Sequence, residues 1–167
     1  MFVLGIDPGL TRCGYACVEA LGVGKARAVA LGVLRTPVEL DLAGRLLMLR
    51  NELRSLIAEC RPAAVAVERV FFQVNVRTAM SVGQASGIAL VEALDAGCEV
   101  AQYSPNQVKD AIAGYGGADK AQVQKMVQLR LGLAAPPRPA DAADAAALAL
   151  CHIATAPMRR RVVEATS

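Results

Sequence analysis

The chain reads as an α/β protein in which a mixed five-stranded sheet is flanked by helices. Three observations predict this. Three short apolar runs open the chain, at 2–6, 13–20 and 26–36. Stretches of helical period then alternate with apolar runs of about strand length. The 167 residues suffice for one sizeable core and are few for two.

"FVLGI" (2–6) ends at Asp7-Pro8-Gly9, a turn-forming cluster, so it reads as a buried strand with Asp7 at its C-terminal end. "CGYACVEA" (13–20) and "ARAVALGVLRT" (26–36), joined by "LGVGK", continue it as a meander. From Asp41 the residues Leu42, Leu46, Leu49, Leu53 and Leu56–Ile57 recur at helical spacing until Arg61-Pro62. "AAVAVE" (63–68) follows that helix, and the simplest crossover makes it parallel to the first strand, with Glu68 at its end.

Residues 76–96 predict a second helix stopped by Gly97, with Ala79, Gly83 and Gly87 as a stripe of small residues. Such a stripe admits close approach either of the sheet or of another chain. "EVAQY" (99–103) is the fifth strand. Ser104-Pro105 caps a short helix ended by Gly114, and 119–131 form the next, stopped by Gly132. After the extended "AAPPRPA", a last helix spans 141–156 and stops before Pro157. The expected organisation is one domain over 1–157 and a flexible basic tail over 158–167.

Composition narrows the function classes. No unbroken apolar run approaches the roughly 20 residues of a membrane helix, and the start is too quickly acidic for a signal peptide, so a cytoplasmic protein is expected. The five cysteines show no zinc spacing and read as small buried hydrophobes; Cys151 and His152, adjacent on a helix, point apart. Lys/Arg and Asp/Glu balance at ten each over 1–100 but stand at eight against five over 101–167. That basic C-terminal part permits a polyanionic partner without requiring one.

The acidic residues carry more information. In open α/β sheets, sites form at the C-terminal ends of parallel strands, where Asp7 and Glu68 should converge. Asp141 and Asp144, three apart, share one helix face. Carboxylates about 5 Å apart repel by roughly 3 kcal/mol at an effective dielectric of about 20, so a cation belongs among them. An all-carboxylate set suits Mg²⁺ or Mn²⁺, and two such ions can flank a phosphorus in hydrolysis. The helix dipole would account for either aspartate alone, but not for Asp7 and Glu68 as well.

"GIDPGLTRCGY", "VAVERVFFQVN", "GQASG", "QVKDAIAGYGGADKAQV" and "DAADAAALALCH" resemble, in order and spacing, the RuvC family of Holliday-junction resolvases, from the N-terminus to about residue 156. The resemblance implies a ribonuclease H-like fold and a homodimer that nicks two strands of a four-way DNA junction symmetrically. It implies Mg²⁺ or Mn²⁺ dependence with two ions per site, 5′-phosphate and 3′-hydroxyl ends, and work alongside a RuvA–RuvB branch-migration complex. The family's metal-binding carboxylates fall on Asp7, Glu68, Asp141 and Asp144, its two lysines near the scissile phosphate on Lys109 and Lys120, and its base-stacking aromatic on Phe71. Rival readings are an actin-like ATPase, for which the chain is too short, another ribonuclease H-like nuclease, and a junction-binding protein that does not cut.

Overall fold

The computed structural model describes residues 1–22, 24–70 and 76–166, without the side chains of 76–78 and 157–166. Strands β1 (Phe2–Asp7), β2 (Arg12–Gly22) and β3 (Lys25–Arg35) form the opening meander. They are followed by α1 (Leu42–Cys60), β4 (Ala64–Glu68), α2 (Val76–Asp95) and β5 (Glu99–Tyr103), then α3 (Pro105–Ala113), α4 (Lys120–Arg130) and α5 (Ala140–Thr166). The sheet order is β3-β2-β1-β4-β5. β1 pairs antiparallel with β2 and parallel with β4, and β4 pairs parallel with β5. The crossover through α1 therefore places the ends of β1 and β4 side by side, as the sequence predicts.

The sheet is covered on both faces. Leu49, Leu53 and Ile57 of α1, with Ala85, Ala89 and Ala93 of α2, pack against Leu4, Ile6, Val65 and Val67 on one face. The other face, including Val3, Ala16, Val18 and Ala66, receives α5 together with Val108 and Ile112 of α3 and Val123 and Val127 of α4. An alanine-rich helix suits this position because its backbone comes very close to the strands. A Cβ on Gly5 would lie 1.9 Å from the Ala145 carbonyl oxygen, and one on Gly14 would lie 2.2 Å from that of Asp141. Both positions admit only glycine, and together they set the height of α5 above β1 and β2.

The helix starts follow their caps. The Asp41 side chain accepts from Gly44 N–H, and Ser104 and Asp119 each form a reciprocal capping box with Gln107 and Gln122.

One of two alternatives is excluded and one expectation is corrected. The small-residue stripe of α2 does not pack on the sheet: nothing lies within 4 Å of a Cβ at Gly83 or Gly87, and Ala85, Ala89 and Ala93 face inward instead. A second four-residue alanine repeat, offset by two positions, was available on the same helix and is the one that meets the apolar face. The last helix also continues through Pro157 to Thr166. Proline loses its own N–H bond and crowds the carbonyl four residues earlier, costs that a long helix can carry while its neighbours keep helical dihedrals, and 157 is not an element boundary.

Candidate active site

The C-terminal ends of β1 and β4 and the first turns of α5 converge on one cleft. It encloses roughly 230 Å³ and is lined by Asp7, Glu68, Lys109, Lys120 and Asp144, with Val108, Val123 and Leu148 as its apolar wall. Asp7 and Glu68 belong to parallel neighbours, whose side chains at corresponding positions share a face. Asp144 descends from α5, whose separation from the sheet depends on the glycines above. Lys109 comes from α3 and Lys120 from the start of α4.

Asp7 is half-buried on the central strand. Burial, followed by the charges of Glu68, Asp144 and Asp141, pushes its carboxyl up to about 8. Burial and then the Asp144 charge push Glu68 upward in the same way. The Lys120 charge opposes both shifts without outweighing them. The two α5 aspartates, in contrast, each have an internal cation: Lys120 Nζ donates to Asp144 Oδ2 at 2.6 Å, and the Arg12 guanidinium donates through Nε (2.9 Å) and Nη2 to Asp141 Oδ2. The hydrogen bond to Asp144 raises the Lys120 pKa, so this ammonium remains charged.

The predicted residues are therefore brought together with one qualification. Asp7, Glu68, Asp144, Lys109 and Lys120 line the cleft, whereas Asp141 lies one turn earlier on α5, held by Arg12, and reaches Asp7 through its charge. Among the described residues no three acidic, thiol or imidazole side chains stand in ready coordinating geometry. Phe71 lies outside the described residues.

Arg12 was missed by the sequence reading. Its signal was its place two residues before Gly14 on β2, on the same strand face, beside the point where the Asp141 end of α5 approaches the sheet. The cysteines are free thiols, and Cys13, close to the site, is pushed up to about 12 by burial, as expected of an inert buried thiol. His152 meets Tyr103 on β5, with the tyrosine hydroxyl 2.9 Å from Nδ1, while Cys151 Sγ faces the Gln107 carbonyl.

The donor set is oxygen-only, belongs to hard-cation chemistry and carries unmet negative charge at its centre, so it fits divalent metal. Arg12 and Lys120 now supply part of that positive charge.

A family model described as "Crossover junction endodeoxyribonuclease RuvC" matches residues 3–152. The chain belongs to the RuvC family. A relative of that description from Roseiflexus sp. (strain RS-1) is 55% identical over 161 residues, covering 96% of this chain and 95% of its own. The structure of T. thermophilus RuvC in complex with a Holliday junction substrate superposes with a TM-score of 0.90 at 42% identity, covering 95% of this chain and 96% of that one. The yeast mitochondrial Holliday junction resolvase Ydc2 shares the fold, with a TM-score of 0.64 at 13% identity, covering 89% of this chain and 77% of that one. As a RuvC-family protein the chain is an endodeoxyribonuclease of ribonuclease H-like fold.

Proposed function

We propose that this chain resolves four-way DNA junctions by metal-dependent phosphodiester hydrolysis, leaving 5′-phosphate and 3′-hydroxyl ends, in recombination and repair. The observation that carries the reading is the juxtaposition of Asp7, Glu68 and Asp144 with Lys109 and Lys120 in one cleft. Asp7, Glu68, Asp141 and Asp144 would hold the cations, with Asp7 central because the other three charges all bear on it. Bound there, a pair of Mg²⁺ or Mn²⁺ ions would supply Lewis acidity and a water of lowered pKa.

The protein's own share is charge and position. Lys120 and Lys109 offer compact ammonium groups to the phosphate oxygens. Arg12 holds Asp141 by one oxygen and leaves the other open. Phe71 is assigned to stacking on an unpaired base at the crossover. Paired symmetric nicks require two copies, and the outward stripe of Gly83 and Gly87, beside exposed Met80, Val91 and Leu94, suits a homodimer contact. Residues 1–157 would act as one nuclease domain, in the cytoplasm, with RuvA–RuvB as the branch-migration partner. Among the described residues no helix is long and apolar enough to cross a membrane.

The test is denaturing-gel cleavage of a labelled four-way junction beside a linear duplex and an RNA–DNA hybrid of the same sequence, with Mg²⁺, Mn²⁺ or EDTA. Paired nicks on the junction alone, absent in EDTA, are expected. Cutting of duplex or hybrid instead would overturn the substrate, and binding with no cutting would make the protein a junction binder.

A further inference from the structure

The top of the sheet carries positive charge on both sides of the carboxylates, and only one side is explained by Lys109 and Lys120. On the other side Arg12 begins β2 and lies directly opposite Arg35, the last residue of β3. Directly opposed residues project from the same face, where like charges are ordinarily unfavourable. Arg12 is neutralised by Asp141. Arg35 is exposed, and among the described residues no carboxylate stands within ion-pair distance of it.

Arg45, in the first turns of α1, lies at the same end of the molecule. A cation there opposes the helix dipole, yet this one is braced in place. Its Nε donates to Thr36 Oγ1 at 3.0 Å and its Nη2 to Thr11 Oγ1 at 2.6 Å. Thr36 is 5% exposed, and its hydroxyl in turn donates to the Leu10 carbonyl at 2.5 Å, which ties the guanidinium to the turn that carries Asp7. Both partners of Arg45 are hydroxyls, so the contacts fix its position without cancelling its charge. Among the described residues no carboxylate pairs with it. The nearby Asp41 uses Oδ1 to cap Gly44 N–H. An oriented guanidinium with donors to spare is the group best matched to a phosphate oxygen pair.

We propose that Arg35, on the α5 face, and Arg45, on the α1 face, form a phosphate-binding ledge across the top of the sheet that carries a DNA arm from the cleft over its β3 edge. Strands lie about 4.8 Å apart and residues about 3.3 Å apart along a strand, so Arg35, two strands across and two residues beyond the level of Asp7, has its backbone roughly 12 Å from that of Asp7. The ledge thus continues the line of the cleft on the side away from Lys109 and Lys120. This inference rests on the junction-cleaving reading above.

The experiment measures junction affinity in EDTA, where nothing is cut, as a function of salt for the full chain, for R35Q/R45Q and for R35K/R45K. Each phosphate contact adds about 0.9 to the slope of log affinity against log salt. The glutamine pair should therefore lower the slope by about 1.8, so that the wild-type advantage shrinks about twelvefold between about 50 and 200 mM salt. The lysine pair should restore most of the slope, and all three proteins should remain folded at the temperature of the assay. An unchanged slope in a folded glutamine variant would overturn the ledge, as would a loss of slope that lysines do not restore. Failure of the wild type to bind or nick junctions in Mg²⁺ would instead overturn the parent reading.

Discussion

Two shielded carboxylates in this molecule have opposite fates. Glu92 on α2 is 6% exposed and faces α1, where Arg50 Nε donates at 2.9 Å and Arg54 Nε at 2.7 Å. Burial alone would raise its pKa, but the hydrogen bonds and charges of the two arginines outweigh it and hold the carboxyl below its ordinary range. Asp7 on β1 is half-buried and faces three carboxylates, and its pKa rises to about 8. Glu92 is a group whose requirements are met within the fold. Asp7 is one whose requirements the fold, through Lys120, meets only in part, and that asymmetry separates a structural acid from a catalytic candidate.

The largest test of this contrast is Asp7→Asn. Cleavage should fall at least about a hundredfold, because the central ligand is lost while the other groups stay in place. Junction affinity in EDTA should hold at neutral pH, where the raised pKa of about 8 already keeps the wild-type carboxyl largely protonated, and should rise above about pH 8, where Asn removes a negative charge near the backbone. The same change should raise the melting temperature without metal, because Asn removes the cost of burying an ionisable carboxyl beside three others, a cost wild type meets by taking up a proton. Retained wild-type cleavage would remove Asp7 from the catalytic set.

Lys120→Ala comes next. It removes the ammonium bonded to Asp144 and should lower the single-turnover cleavage rate by about 10–100-fold while leaving junction affinity within a few-fold. A change in affinity alone would make Lys120 an ordinary phosphate contact. Gly14→Ala tests the spacing instead of the charge. Its Cβ would meet the Asp141 carbonyl oxygen at 2.2 Å, so α5 must lift, at a cost of about 2 kcal/mol in stability and with the aspartates displaced from the strand ends. A variant as stable and active as wild type would show that the approach of α5 does not set the site.

These residues also show what was legible in advance. Local chemistry marked the strands, the cap at Ser104, and the strand-end positions of Asp7 and Glu68. Chain order was enough to make β4 a parallel neighbour of β1. Long-range partnerships were not legible. The ion pair of Arg12 with Asp141 joins residues 129 apart, and nothing local to either predicts it. The α2 stripe left two alternatives open for a related reason: two small-residue repeats lie on one helix, and only packing on α1 and the sheet decides which faces inward. Pro157 was read by its missing N–H, a local cost that the long helix carries.

The smallest expected effect lies at the other pole of the comparison. Glu92→Gln keeps the shape of the side chain and removes its charge. Because the Arg50 and Arg54 side chains are 43% and 51% exposed, water screens much of the attraction, and the loss should be only on the order of 1 kcal/mol at neutral pH. The direction with pH follows from the lowered folded pKa. The stabilisation is present above the ordinary glutamate value of 4.5 and is lost as pH falls from there through the folded value. Chemical denaturation in EDTA at neutral pH and at progressively lower pH should show wild type and Glu92→Gln differing at the first and converging in acid. A gap that stayed constant would mean that shape or hydrogen bonding, not the charge, anchors α1 to α2, and Glu92 would cease to be the satisfied counterpart of Asp7.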